Sequence, residues 1–156
     1  MPSAATLRPA TLDDVASIVR LRVLMFEDMG LEPRLEVWSK TAVAFLEETL
    51  ADGTSAAFVA EAPDGHLVAT GVGTTCTRLP GPHNPSGRYG YIASMATERE
   101  WRGQGLARAV VVALLDWFGA RGIHRVDLHA SDAGDGIYRS LGFTEGTWPE
   151  LRWSSL

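Results

Sequence analysis

IASMATEREWRGQGLAR, residues 92–108, decides the fold. It begins as a strand and breaks at Thr97-Glu98-Arg99-Glu100. It then passes through Arg102-Gly103-Gln104-Gly105 into a strongly apolar helix over residues 106–121. A glycine turn that opens a helix leaves several backbone N–H groups without internal partners. Those donors, with the positive end of the helix dipole, favour an anion, typically phosphate. Gly103 and Gly105 let the backbone approach a ligand that a Cβ would hold off. Arg102 and Arg108 add charge-assisted hydrogen bonds, each worth about 1.5–3 kcal/mol when well aligned. No Gly-Lys-Ser/Thr ending is present, so this is not a P-loop. A dinucleotide fingerprint needs Gly or Ala three residues after its second glycine. Arg108 stands there, and the turn comes too late in the chain for a first βαβ unit.

Composition narrows the class. At 156 residues, length alone suggests one domain, 1–156, large enough for a real core. Apolar residues at 46% and charged residues at 21% are ordinary globular values, so neither a disordered nor a membrane-embedded chain is expected. The first ten residues, MPSAATLRPA, lack the apolar segment of a signal peptide, which makes a cytoplasmic protein the expectation. Cys76 is the only cysteine, so no internal disulfide and no cysteine metal cluster can form, and it reads as a small buried hydrophobe. A net charge of −5 argues against a nucleic-acid partner. Arg99, Arg102 and Arg108 still make a local basic cluster fit for a polyanionic ligand.

Taken in order, residues 6–9 read as a first strand. Thr11 comes next as an N-cap, with Asp14 in a capping-box-like position. Leu12, Val15, Ile18, Val19, Arg22 and Phe26 keep helical spacing to about Asp28, with Arg22 the polar exception. A second helix is expected over 35–50. Strands over 56–62 and 67–77 flank Pro63-Asp64-Gly65-His66 and form a hairpin. Residues 79–88, LPGPHNPSGR, must be a loop. The strand 89–97, the organising helix, a strand over 124–131 and a short helix over 134–140 come next. A final strand pair is expected over 143–147 and 150–154. A strand, a helix and another strand around the glycine turn make a right-handed crossover and a parallel pair. The fold class is therefore α/β (α+β), a mixed sheet flanked by helices.

Two motifs then combine. Arg102, Gly105 and Ala107 spell R-x-x-G-x-A. Downstream, residues 127–143 read DLHASDAGDGIYRSLGF, with Tyr138 ahead of Leu141-Gly142-Phe143. Together, in this element order, they resemble the GNAT superfamily of N-acyltransferases over nearly the whole chain. The resemblance implies a mostly antiparallel central sheet, splayed at its parallel strand pair. It implies acetyl-CoA as cofactor, with CoA as product. Pantetheine would lie along Met95, Ala96 and Thr97, and the pyrophosphate on Arg102, Gly103, Gln104, Gly105, Leu106, Ala107 and Arg108. Ser131 stands where Asn is often found, which alters one cofactor hydrogen bond.

The resemblance also implies direct attack by an amine on the thioester. A backbone N–H near Met95 would stabilise the developing oxyanion, and Tyr138 would protonate the thiolate. An unperturbed Tyr near 10 is a competent acid toward a thiolate near 8.5; the alternative for Tyr138 is simple packing beside Phe143. Tyr91 occupies the place of a glutamate that serves some members as base. His129, Glu27, Asp28 and a water chain remain as candidates. Alternation puts Asp127, His129 and Ser131 on one strand face; His129 is a base or water-orienter in one reading and a structural histidine in the other. The acceptor pocket is expected under the connection LMFEDMGLEPR, with Phe26, Glu27, Asp28 and Tyr91 as acceptor contacts and the 79–88 loop bordering the mouth. The acidic residues there would attract a cationic amine, or simply be solvated.

Three functions are compatible with these motifs. The first is acetylation of a primary amine on a small molecule. The second is acetylation of a protein N-terminus or lysine. The third is a non-catalytic acyl-CoA-binding regulatory module. No metal, membrane or nucleic-acid partner is expected. A homodimer is a further expectation, with Trp148 and Trp153 in core or interface.

Overall fold

Small and β-branched residues over 55–77 make the centre of a five-stranded sheet. Its strands are Thr6–Pro9 (β1), Ser55–Glu61 (β2), Leu67–Thr77 (β3), Arg88–Thr97 (β4) and Val126–Leu128 (β5), in that spatial order. This computed structural model describes residues 4–155. Strands β1 to β4 pair antiparallel, and β4 pairs with β5 in parallel. The helices are Val15–Asp28 (α1), Leu35–Asp52 (α2), Leu106–Ala120 (α3) and Asp132–Ser140 (α4). The expected mixed, mostly antiparallel sheet flanked by helices is observed.

Strand alternation builds two cores. Ala57 and Val59 join Val15, Ile18, Leu21 and Leu46 under α1 and α2. Phe58, between them, packs with Val110, Leu114 and Phe118 of α3 on the other face. Leu21 and Phe118 are fully buried, and each such side chain stabilises the fold by about 1.5–3 kcal/mol. Phe118 packs against two strands because two glycines make room for its ring. A Cβ at Gly73 or Gly90 would meet its ring at 2.9 and 2.5 Å.

Asp14 fixes where α1 starts. Its carboxylate accepts from the Thr11 N–H at 2.8 Å, closing the expected box. Arg8 on β1 donates to both Asp14 oxygens, at 2.8 and 3.0 Å, and to Glu61 at 2.6 Å. The helix entry and the sheet edge are thus one network.

Three local expectations are corrected. Residues 143–147 and 150–154 form no ladder. Gly146 and Pro149 interrupt the pattern, and a strand needs an edge to pair with, whereas β5 is short. Trp148 and Trp153 are each 85% exposed, so neither is core. The strand expected over 124–131 is paired only over Val126–Leu128, because β4 leaves it after Ile92. Cys76 is half-buried rather than buried, since it lies where β3 runs out beyond the helices. No helix among the described residues is long and apolar enough to cross a membrane.

Candidate active site

The sheet opens on one irregularity in β4. Ile92 and Met95 pack on the α3 side, and Ala96 on the α1 side. A spacing of three between Ile92 and Met95 breaks the period of two. Ser94 absorbs the extra residue with a left-handed φ of 58°. Opposite it, the β3 register shifts between Thr70 and Val72. This is a β-bulge, which bends the strand and re-aims the residues beyond it. Gly71 sits across from it, where any Cβ would strike Met95 Sδ and Val110 Cγ1. The Ser94 and Thr70 hydroxyls are buried, with no hydrogen-bond partner among the described residues.

Past the bulge, β4 keeps β3 and loses β5. The last parallel partners are Ile92 and Leu128. The Glu98 N–H donates to Val68 O at 2.8 Å on the β3 side. By alternation the backbone groups of Thr97 and Met95 face the other way, into the gap beside β5. Thr97 O accepts there from Arg102 Nε at 2.9 Å. Met95 and Thr97 thus present the strand edge that an extended ligand needs, while Ala96, the third expected contact, turns its backbone to β3.

The glycine turn comes after a short 3₁₀ segment, Arg99–Trp101. Gly103 and Gly105 take φ of 74° and 80°. A Cβ at either would meet nothing within 4 Å, so glycine is needed for the backbone conformation and not for packing. Gly105 is the N-cap of α3 and offers no side-chain cap, while the first in-helix bond runs from Ala109 N–H to Gly105 O at 3.0 Å. The N–H groups of Leu106, Ala107 and Arg108 are left for an anion. Gln104 is exposed beside them. Arg102 also donates through Nη2 to Asp28 Oδ2, and Arg99 donates to Asp28 Oδ1 at 3.4 Å. Arg108 donates to Ser140 Oγ at 2.7 Å. This donor set suits a diphosphate.

Tyr138 lies on the α3 side of the gap, in the same core as Ile92 and Phe118. It is 9% exposed and meets Phe143 edge to face at 5.9 Å, so the packing contact is present as well. Gly134 makes its room; a Cβ there would come within 2.9 Å of the ring. Burial pushes the Tyr138 hydroxyl above its ordinary value. Ser131 is the N-cap of α4, its Oγ accepting from the Gly134 N–H at 3.3 Å.

A polar chain occupies the α1 side. Tyr91 is in register with Asp127. The Tyr91 hydroxyl is hydrogen-bonded to His129 Nδ1, and His129 Nε2 to Glu150 Oε2 at 3.1 Å. Burial is the main cause that pushes the Tyr91 hydroxyl upward, with Glu150 adding to it. Asp127 is held by Arg78 at 3.2 Å and Arg125 at 3.5 Å. Phe26 meets Trp38 of α2 edge to face at 5.5 Å. Arg22, one turn before Phe26, lies over both rings.

Of the four expected acceptor contacts, Phe26 and Tyr91 lie on this side. Asp28 is turned away to Arg102 and Arg99. Glu27 lines a separate groove of about 730 Å³ between α1 and the Arg99–Trp101 segment. Sequence reasoning missed Glu150, which carried no signal at all. It noted Arg22 only as a polar residue on an apolar stripe. Among the described residues, no group of three or more His, Cys, Asp or Glu is placed to hold a metal ion.

Comparison with known proteins agrees with this geometry. The family model described as "Acetyltransferase (GNAT) family" matches residues 18–143. The chain is 29% identical over 149 residues to "Aminoglycoside N(6')-acetyltransferase type 1" of Stenotrophomonas maltophilia, covering 92% of this chain and 88% of that protein. A "predicted acetyltransferase with acetyl-CoA" from Clostridium acetobutylicum superposes with a TM-score of 0.87 at 30% identity, covering 95% of this chain and 96% of that one. A "GCN5-related N-acetyltransferase" from Ralstonia eutropha gives 0.85 at 26% identity, covering 96% and 98%.

Proposed function

The chain belongs to the acetyltransferase (GNAT) family, whose cofactor is acetyl-CoA, and on that premise we propose that it acetylates a primary amine of a small molecule by direct attack. One acetyltransferase domain spans the chain in this reading. The carrying observation is the gap that opens between β4 and β5 after Ile92, directly before the Arg102–Gly105 turn and the N-terminus of α3. The relative from Stenotrophomonas maltophilia, an aminoglycoside acetyltransferase by name, supports a small-molecule acceptor.

When bound, acetyl-CoA supplies an acyl carbonyl activated by its thioester and a thiolate leaving group. The amine nitrogen bonds to that carbonyl carbon as the C–S bond breaks. Met95 turns its N–H into the gap, where it meets the carbonyl oxygen as negative charge develops. The proton that the ammonium must lose passes to His129 Nδ1 through the Tyr91 hydroxyl, which gives its own proton to the ring as it takes the amine's, while Glu150 holds Nε2. Tyr138 gives a proton to the thiolate, and the second proton that the nitrogen sheds as the C–N bond forms restores its hydroxyl, whose pKa burial raises. Arg102, Arg108 and the N–H groups of the turn hold the diphosphate. A cytoplasmic location, where a lone thiol such as Cys76 persists reduced, belongs to this reading. So does a homodimer, for which exposed Trp148, Leu151 and Trp153 are the supporting observation.

Thermal unfolding with acetyl-CoA, CoA and ATP tests the cofactor site. Ligand at ~100 times its dissociation constant stabilises by about 2.7 kcal/mol. A shift with acetyl-CoA that disappears in Arg102→Ala is the expected result. Thiol release with a panel of amines then tests transfer; CoA binding without turnover of any amine would leave a binding module.

A further inference from the structure

Among the described residues, Arg22 is a half-buried cation with no anion. Arginines elsewhere in the described chain pair with carboxylates or donate to carbonyl or hydroxyl oxygens. The other exception, Arg34, is exposed. Arg22 has neither kind of partner. Its guanidinium lies 4.8 Å from the Phe26 ring centroid and 5.9 Å from that of Trp38. Those rings orient the fork and strip water from one face of it, but they supply no acceptor for its N–H donors. Burial lowers the Arg22 pKa, with the Tyr91 hydroxyl opposing it electrostatically.

The carboxylates of the polar chain, and Asp28 at the end of α1, are committed elsewhere. Glu150 meets His129 at 3.1 Å and Arg152 at 3.8 Å. Asp127 is held between Arg78 and Arg125. Asp28 is held by Arg102 and Arg99. Glu27 is five residues along α1 and so lies on another face of that helix. A desolvated guanidinium without an internal partner is expensive. Arginine's planar fork is suited to bind carboxylate or phosphate through two hydrogen bonds.

We infer that Arg22 recognises an oxyanion on the acceptor, so that the amine acetylated here also carries a carboxylate or a phosphate. This rests on the acetyltransferase reading and narrows its substrate class. Tyr91, Phe26 and Trp38 surround the anionic end, while the amine end reaches His129 at the mouth of the β4–β5 gap. The acidic stretch at the end of α1 does not oppose this, because Asp28 is neutralised and Glu27 faces a different groove.

The test uses amines matched except for the anion: L-amino acids against their decarboxylated amines, and O-phosphoethanolamine against ethanolamine. The ratio of kcat/KM within each pair is measured for the native chain, Arg22→Met and Arg22→Lys. The native chain is expected to favour an anionic member, and the pair showing it identifies carboxylate or phosphate. In Arg22→Met that ratio falls about 30- to 100-fold, mostly through KM, while Arg22→Lys keeps part of it. No preference in the native chain, or a ratio that survives in Arg22→Met, overturns the inference. If no amine is turned over, it is the transfer reading that fails. Calorimetric titration of the same amines into CoA-saturated protein then decides Arg22 alone: binding of an anionic amine that Arg22→Met abolishes supports the site, and no binding refutes it. An unaltered thermal shift with acetyl-CoA confirms that each variant is folded.

Discussion

Tyr91 and His129 share a hydrogen bond at the point where the β4–β5 ladder ends, and Glu150 meets the other ring nitrogen of His129 from the C-terminal segment. The imidazole is thereby held at the mouth of the gap with both nitrogens engaged. If it takes the amine's proton, His129→Ala should lower kcat/KM by about 10²-fold or more and flatten the fall in rate toward acid pH. Glu150→Gln keeps the ring in place and should cost less, within about tenfold. An unchanged pH–rate profile in His129→Ala would remove it from the chemistry.

Tyr138 gives a complementary prediction on the other side of the gap. Burial raises its pKa, so it remains a proton donor at and above neutral pH. Tyr138→Phe keeps the edge-to-face contact with Phe143 and loses only the hydroxyl. Single-turnover kinetics should show kcat lowered by about 10- to 100-fold, with acetyl-CoA binding little altered. The alkaline limb of the native profile should lie above the ordinary tyrosine value of about 10, because an acid works only below its pKa. Equal kcat in the two proteins would leave Tyr138 a packing residue.

Acid sensitivity should arise at Asp14. The hydrogen bonds from Arg8 hold its carboxyl below the ordinary carboxylate value, against the opposing effect of burial, with help from the Thr11 N–H. The folded state then binds its proton less readily than the unfolded chain does. Asp14's contribution is complete above the ordinary carboxylate pKa and fades as pH falls through it toward the folded value. Asp14→Asn should lose about 1–3 kcal/mol at pH 7 in urea unfolding and show a shallower decline below about pH 4. A parallel pH dependence in variant and native protein would contradict this.

At the bulge, Ser94 combines a left-handed φ with a buried, unpartnered hydroxyl. Glycine suits that backbone and removes the hydroxyl. Ser94→Gly should therefore raise the unfolding free energy by about 1 kcal/mol, read from the urea midpoint. A lowered midpoint would mean that the hydroxyl has a stabilising partner.

Features written in adjacent residues were legible in the sequence. The Gly103–Gly105 turn, the Thr11–Asp14 box and the hairpin at Pro63-Asp64-Gly65-His66 each depend on residues only a few positions apart. Features that needed distant partners were not. The alternation at 150–154 is compatible with a strand, but pairing needs an edge, and β5 provides only three paired residues. Asp28 read as a lure for a cationic acceptor because Arg102 is 74 positions away. Arg22 showed itself as an exception to the stripe, yet its lack of a partner is visible only once every nearby carboxylate has been assigned. Likewise, nothing local marks Glu150 as the neighbour of His129.

The clasp between Asp28 and Arg102 ties the glycine turn to the end of α1. In the proposed reading, a diphosphate drawn to Arg102 competes with a carboxylate at the end of α1, the helix that also carries Arg22 and Phe26. Seating one ligand would then loosen the anchoring of the helix that lines the other's pocket. By thermodynamic reciprocity, whatever factor CoA imposes on amine affinity, the amine imposes on CoA. In calorimetric titrations Asp28→Asn should shrink that factor toward one and tighten CoA binding on the amine-free protein by a few fold. The coupling would then rest on one carboxylate shared by two arginines.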